Sequence, residues 1–367
     1  MTPVLMITAS AGFGGGPQHV HDLAAALHGQ VRVDIACPRQ EPFYERFGRV
    51  IEGEIVDIPE RRFTLADALR LLRFVRRRGV CLLHSHGKGA GVYGRFLAAF
   101  SGLPLVHTPH GIHLDQYGRL MRSVYLAYEH LCGWIDARTI FVSPSELERA
   151  RTIGIARRSR STVICNGVPF PENSTFLAEA RDRLRRSQGI DADDTVVVTL
   201  SRFDYAKNMN EMLRVADAER NLRFWFLGDG ADFASVRSAI ADRRMNHVWL
   251  PGFVDRPLEY LAAADIYLST ARWEGLSLAV LQAMSLGKPV VASEVTGNRD
   301  AVKHHQTGFL YPLGKAEDAA AWLNMLARNP EMKLAMGQAA MVRQREKFSV
   351  KVMAERTFSV YMDLLGR

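Results

Sequence analysis

Residues 274–293 read EGLSLAVLQAMSLGKPVVAS. A carboxylate, Glu274, is followed by Gly275 and an apolar run of helical length. A Gly287-Lys288-Pro289 break and a short β-branched segment, 290–293, come next. Helix into strand across so short a break is the repeating unit of a parallel α/β sheet. The stretch also sets a loop acid and bare backbone at the start of a helix, where N–H groups favour anions. Further along the same helix stands a neutral amide, Gln282, where a second acid would make a carboxylate pair.

The same alternation extends outward in both directions. Strand-type runs fall at 4–10 (VLMITAS), 31–36, 81–84, 104–107, 139–142 and 162–165, with helical segments between most of them. Residues 168–194 change character, with Pro169, Pro171, a charged helix and an acidic DADD run. The pattern then restarts at 195–200 (TVVVTL), 222–227, about 247–250, 265–269 and 290–293. This predicts two α/β domains, 1–170 and 195–345, joined by a linker at 171–194 and followed by a C-terminal helix at 346–367. Two such domains in tandem predict a cleft outside the carboxyl ends of their strands, so functional residues are sought just after strands.

The chain has 367 residues, enough for two cores, and is 47% hydrophobic and 23% charged, an ordinary globular composition. No run of eighteen apolar residues predicts a spanning helix, and MTPVLMITAS reads as a first strand and not as a signal peptide. The four cysteines are scattered without a CxxC pair, which predicts reduced thiols in a cytoplasmic protein. The net charge of +8 is lopsided: residues 1–170 hold 21 Lys and Arg against 14 Asp and Glu. The first half therefore suits an anionic partner: a phosphorylated substrate, an anionic membrane or nucleic acid.

The motif after the first strand, Gly12-Phe13-Gly14-Gly15-Gly16-Pro17, either lets backbone approach a phosphate or sugar or is simply a tight strand–helix turn. It fits a dinucleotide fingerprint poorly. Pro17 occupies the third glycine position, and the second strand ends IACP with no acid for a ribose. His107-Thr108-Pro109-His110-Gly111 follows another strand; His107, His110 and His113 invite a metal reading, but Pro109 and Gly111 break any helix that would gather them. His84 and His86 end a further strand and are open to a structural or a chemical role. Arg202 and Lys207 flank a loop that enters a helix Asn208 could cap, which suits a diphosphate or is a solvated charged loop. Gly228 and Gly252 repeat the strand-end glycine theme. Asp191-Ala192-Asp193 precedes its strand and reads as a turn. Along the basic stretch 69–80 and the turn before it, Leu65, Leu69, Leu72 and Val75 mark a buried side. Arg70, Arg73 and Arg77 share the other side, which is either a solvated face or, with Arg157, Arg158 and Arg160, a surface for anionic lipid or a lipid-linked diphosphate.

Taken together, EGLSLAVLQAMSLGKPVVAS, GGGPQHV, HTPHG, SPSELERA, VICNGV, SRFDYAKN, GDG, PGFVD and VTGNRDAV resemble, in order, the signatures of family-4-type retaining glycosyltransferases (glycosyl transferases group 1). The resemblance covers most of the chain. It implies a GT-B fold: two Rossmann-like domains with parallel sheets facing a central cleft, the first binding the acceptor and the second a nucleotide-sugar. It implies that Glu274 contacts the donor sugar, that Gly275, Leu276, Ser277 and Leu278 approach the diphosphate, and that Arg202 and Lys207 neutralise it. It places His110 near the reacting sugar, has Gly15 and Gly16 let the acceptor domain close on the donor, and adds Gly15, Gly16, Gly228 and Phe253 to the donor-binding residues. Gln282 departs from the family pattern, which has a second Glu there to hold the ribose.

The reading that follows is a metal-independent retaining transferase without cofactor. Its donor is a nucleotide-sugar, UDP-linked by preference. Its acceptor is a glycan, lipid-linked by expectation, in envelope polysaccharide synthesis at the inner face of the cytoplasmic membrane. A nucleotide-sugar epimerase of the same architecture and a dinucleotide-dependent oxidoreductase are the alternatives. A nucleic-acid module lacks the aromatic-basic stacking pattern that would support it.

Overall fold

The computed structural model describes residues 1–112, 114, 118–171 and 174–366, so His113 lies outside the described residues. The chain divides into two units, Met1–Gly167 with Val350–Arg367, and Val168–Ser349.

The first unit runs β1 (Thr2–Thr8), α1 (Gly15–Ala26), β2 (Val31–Cys37), α2 (Phe43–Val50), β3 (Ile55–Asp57), α3 (Leu65–Arg78), β4 (Leu82–His86), α4 (Lys88–Ser101), β5 (Leu105–Thr108), α5 (Arg119–Cys132), β6 (Arg138–Phe141), α6 (Pro144–Thr152) and β7 (Ser161–Val163). Its strands pair in parallel in the order β3-β2-β1-β4-β5-β6-β7. Alternation along β1 sends Val4 and Met6 to one face and Leu5 and Ile7 to the other, each into its own apolar cluster. Helices thus cover both faces, and the central strands read as nearly unbroken apolar runs.

The second unit runs α7 (Ser174–Ser187), β8 (Val196–Leu200), a 3-10 turn (Tyr205–Lys207), α8 (Met209–Ala218), β9 (Arg223–Leu227), α9 (Phe233–Asp242), β10 (Val248–Gly252), α10 (Pro257–Ala263), β11 (Ile266–Ser269), α11 (Leu278–Ser285), β12 (Val290–Ser293), α12 (Asn298–Ala301), β13 (Gly308–Tyr311), α13 (Ala316–Arg328) and α14 (Pro330–Lys347). Its parallel order is β10-β9-β8-β11-β12-β13. The last helix, α15 (Val350–Leu364), belongs to the first unit. Its Met353, Ala354 and Tyr361 join the cluster that holds Val4 and Met6.

Two details differ from the sequence reading. Residues 171–194 were expected to link the domains, but α7 within them is docked on the second unit. Arg181 donates to Asp265 at 2.8 Å and to the carbonyls of Ala263 and Ala264, and Arg185 donates to Asp265 at 3.0 Å. Burial pushes the Asp265 carboxyl up. The Val196 N–H and the two guanidiniums outweigh it and hold the group below the usual carboxylate range. The second difference is the phase of α3. Its buried face is Ala68, Leu71, Leu72 and Val75, an i, i+3, i+4, i+7 stripe, while Leu65 and Leu69 are exposed.

A buried cation ties α4 to α5 and the loop after it in the first unit. Arg95 of α4 is 4% exposed and donates to Asp136 at 3.0 and 2.8 Å and to Glu129 of α5 at 2.7 Å. Removing a guanidinium leaves two carboxylates buried without a counter-charge, so Arg95→Leu should cost about 3–5 kcal/mol. Urea denaturation measures this; a loss under about 1 kcal/mol would contradict the packing described.

Candidate functional site

In an open parallel sheet, ligands collect where neighbouring strands run their connections to opposite sides. That point lies between β1 and β4 in the first sheet and between β8 and β11 in the second. The candidate residues gather at these two places.

In the second unit, the loop after β8 carries Arg202 and Lys207, and the loop after β11 carries Glu274. Lys207 Nζ donates to Glu274 Oε1, and both side chains are largely buried. They line a small recess with Ser201, Thr270 and Ser277. Arg202 is 58% exposed, with Asp204 3.1 Å away. Asp204 accepts from the Lys207 N–H at 3.2 Å and shapes the 3-10 turn. Next comes Asn208, with a left-handed φ of 57°. Its side chain was expected to cap α8. Instead its Nδ2 donates to Glu211 at 2.6 Å, and its Oδ1 accepts from Arg272 at 2.8 Å. Thr270 Oγ1 donates to the Lys207 carbonyl at 3.0 Å. Lys207 is therefore held from both sides, by the turn and by the loop after β11.

Glycines let the loops close on one another. A Cβ on Gly228, whose φ is +136°, would stand 1.8 Å from the Ser201 carbonyl oxygen. One on Gly297 would stand 2.6 Å from the Gly275 carbonyl oxygen. Leu276, Ser277 and Leu278 are buried at the start of α11, with Ser277 at the N-cap. Gln282 is half-buried one turn further on. Phe253 follows β10 and is partly exposed.

In the first unit, Gly15 and Gly16 form the first turn of α1, and Gln40 Oε1 accepts from the Gly12 and Ala11 N–H groups at 2.9 and 3.2 Å. The histidines separate by role. His107 Nδ1 is 2.8 Å from Ser85 Oγ, and His84 lies 2.6 Å from the Tyr361 hydroxyl and 2.8 Å from Thr108 Oγ1, so both are built into the core. His86 Nδ1 is 3.2 Å from His110 Nε2, and the His19 ring meets His110 edge-on at 4.5 Å. The nitrogens of His19, His86 and His110 lie within 4.8 Å of one another, a set able to hold a metal ion by geometry. The sequence spacing raised His107, His110 and His113 only to argue against their gathering, and His113 lies outside the described residues. The sheet instead gathers residues from α1, β4 and the loop after β5.

His110 has a left-handed φ of 57°, an uncommon conformation for a residue with a side chain and one that clusters at functional sites. The buried Glu146 fixes it, accepting from the Gly111 N–H at 2.6 Å and the Val142 N–H at 2.7 Å. Burial depresses His19 to about 4 and holds His84, His86 and His110 well below the usual histidine range, so these imidazoles are neutral at pH 7. Glu146 had a sequence signal, three residues after the capping Ser143. Gln40, Thr270 and Arg272 had none, because only the folded loops bring them to the site.

Residues 13–170 match the family Glycosyltransferase Family 4, and residues 180–343 match Glycosyl transferases group 1. The chain is 23% identical over 354 residues to UDP-Gal:alpha-D-GlcNAc-diphosphoundecaprenol alpha-1,3-galactosyltransferase of Escherichia coli, covering 92% of this chain and 90% of that one. It is 27% identical over 363 residues to D-inositol 3-phosphate glycosyltransferase of Pseudarthrobacter chlorophenolicus, covering 90% and 86%. Its fold matches that of HepE from Anabaena, solved with UDP and glucose, at a TM-score of 0.85, 19% identity and coverage of 99% and 100%. It matches sucrose-phosphate synthase from Thermosynechococcus elongatus at 0.86, 20% identity and full coverage of both chains. Two parallel α/β units of the GT-B kind, with both family matches together spanning most of the chain, define a sugar-transferring enzyme. The protein belongs to the group 1, family-4-type glycosyltransferases.

The buried imidazoles give a pH prediction. Their folded values lie below the unfolded value of about 6.5, so the unfolded chain binds more protons as pH falls. The stability they contribute is complete above pH 6.5 and is lost as pH drops toward 4. His19 alone accounts for about 3 kcal/mol of that loss. In EDTA-treated protein, urea midpoints should fall between pH 7.5 and pH 5, and His19→Gln should flatten the fall. Equal midpoints in the wild type would contradict the burial described.

Proposed function

We propose that this enzyme is a metal-independent, retaining glycosyltransferase that moves a sugar from a nucleotide-sugar, UDP-linked by preference, to a lipid-linked glycan. The Lys207–Glu274 pair at the strand-order reversal of the second sheet carries this reading. It holds a cation and an acid side by side at the start of α11, the pairing a sugar diphosphate needs. The UDP and glucose bound by HepE, and the donor and acceptor in the name of the Escherichia coli relative, support the choice of substrates.

In this reading the nucleoside diphosphate lies against Arg202, Lys207 and the N–H groups of 275–278. Breaking the bond from the anomeric carbon to phosphate puts negative charge on the leaving oxygen and oxocarbenium character on the sugar. The fixed cations and amide donors stabilise the leaving oxygen, which is why the proposal needs no metal. Glu274 releases Lys207 to the phosphate and accepts from the sugar hydroxyls. The acceptor oxygen bonds to the anomeric carbon on the face the phosphate leaves, and its proton passes to the departing phosphate oxygen. His110, neutral at pH 7, serves the reacting sugar as a hydrogen-bonding group.

Arg202→Ala should lower kcat by roughly 10²–10³-fold, the cost of losing one preorganised donor. Product analysis with UDP-sugars should show sugar appearing on the acceptor. A variant with unchanged turnover, or conversion of donor without acceptor, would overturn the assignment. His110→Ala should leave UDP binding intact and slow transfer; unchanged transfer would make it structural.

Gln282 presents a neutral amide where the ribose hydroxyls would sit. A charged hydrogen bond is worth about 1 kcal/mol more than a neutral one, so Gln282→Glu should tighten UDP binding roughly fivefold. Calorimetry decides it: equal or weaker binding would mean that the ribose lies elsewhere.

A further inference from the structure

We infer that the first unit docks on an anionic lipid bilayer through α5 and the loop that follows it, and not through the basic face of α3. This rests on the membrane-linked acceptor proposed above and names the surface that would meet the membrane.

Helix α5 has two apolar sides. Tyr125 and Leu126 pack inward on the cluster of Ile112, Leu114 and Phe141. Leu120, Val124, Ala127 and Leu131, spaced i, i+4, i+7 and i+11, form a stripe on the opposite side, and all four are exposed. Leu120 is 76% exposed and Leu131 71%, and Trp134, 64% exposed, stands two residues past the helix. Single exposed apolar residues need no explanation, but a contiguous stripe ending in a tryptophan marks an interaction surface.

Charge selects the occupant. Arg119 and Arg122 are exposed on the same helix. Arg157 stacks on the Trp134 ring with its guanidinium carbon 3.6 Å from the centroid, and Arg160 lies 5.9 Å from it, with Arg158 exposed between them. Residues 118–134 contain one acid, Glu129, which is buried against Arg95, and residues 151–160 contain none. Exposed apolar residues, an interfacial tryptophan and arginines without surface acids are what an anionic bilayer recognises. The α3 face also exposes Leu65 and Leu69 but carries no tryptophan. Its Arg70 is paired with Asp67 and its Arg77 with Glu54, so part of its charge is neutralised within the unit.

The test is flotation of the full chain with phosphatidylcholine vesicles, with and without phosphatidylglycerol. The wild type should float with the anionic vesicles and detach as salt rises. Leu120→Ser with Leu131→Ser should weaken binding at least roughly tenfold. Arg157→Ala with Arg158→Ala should weaken binding and reduce its salt dependence, and Arg73→Ala with Arg77→Ala should leave it near wild type. Each variant is first checked for a normal melting temperature and for its shift with UDP. A normal UDP shift without flotation overturns the docking surface and leaves the transferase reading standing, while loss of the UDP shift in the wild type strikes the transferase reading itself. Wild-type protein that ignores anionic vesicles overturns the inference. So does loss of binding in the α3 variant alone, or a dimer that the serine variant turns into a monomer. If the serine pair unfolds, Trp134→Phe replaces it; the wild-type fluorescence shift on adding anionic vesicles should then be lost.

Discussion

The reversal of strand order between β8 and β11 is the constraint on which the rest depends. Connections leave those two strands in opposite directions, so their C-terminal ends open a recess that no helix fills. The chain closes it with side chains instead. Lys207 comes from one loop and Glu274 from the other, and each needs the other to be tolerated at its depth. The carbonyl-lined contacts of Gly228 and Gly297 set how closely the loops approach. A ligand with matching charge can replace each partner's bond to the other, and a sugar diphosphate offers both an anion and hydroxyl groups.

The first sheet repeats the device with different chemistry. Its reversal between β1 and β4 is filled with imidazoles from α1, β4 and the loop after β5. Burial keeps these rings neutral, so they can donate and accept hydrogen bonds without attracting an anion themselves. One recess is therefore lined by a charged pair and the other by neutral polar groups. The strained backbone at His110, braced by Glu146, belongs to the second kind.

Much of this was legible in the sequence, for identifiable reasons. Long apolar runs such as VLMITAS and TVVVTL announce buried parallel strands, and strand-end glycines and cations announce where the loops approach one another. The three-residue edge strand β3 and the strand β13, which opens on Gly308, carry too little pattern to be seen. Gly308 must lack a side chain because a Cβ would stand 2.0 Å from the Val290 carbonyl oxygen, a requirement visible only once the strands pair. The phase of α3 was misread because Leu65 and Leu69 are apolar yet solvent-facing, and apolar type alone does not fix which side of a helix is buried. The grouping of His19, His86 and His110 is not legible in the sequence, because spacing cannot show which strand ends a sheet brings together.

The central claim is that the nucleotide sits at the β8–β11 reversal of the second unit. Hydrogen–deuterium exchange with and without UDP tests it directly. The account predicts slowed exchange in 199–208, 227–230 and 274–282, with 9–20 and 84–111 unchanged. Protection confined to the first unit, or spread over neither reversal, would contradict it.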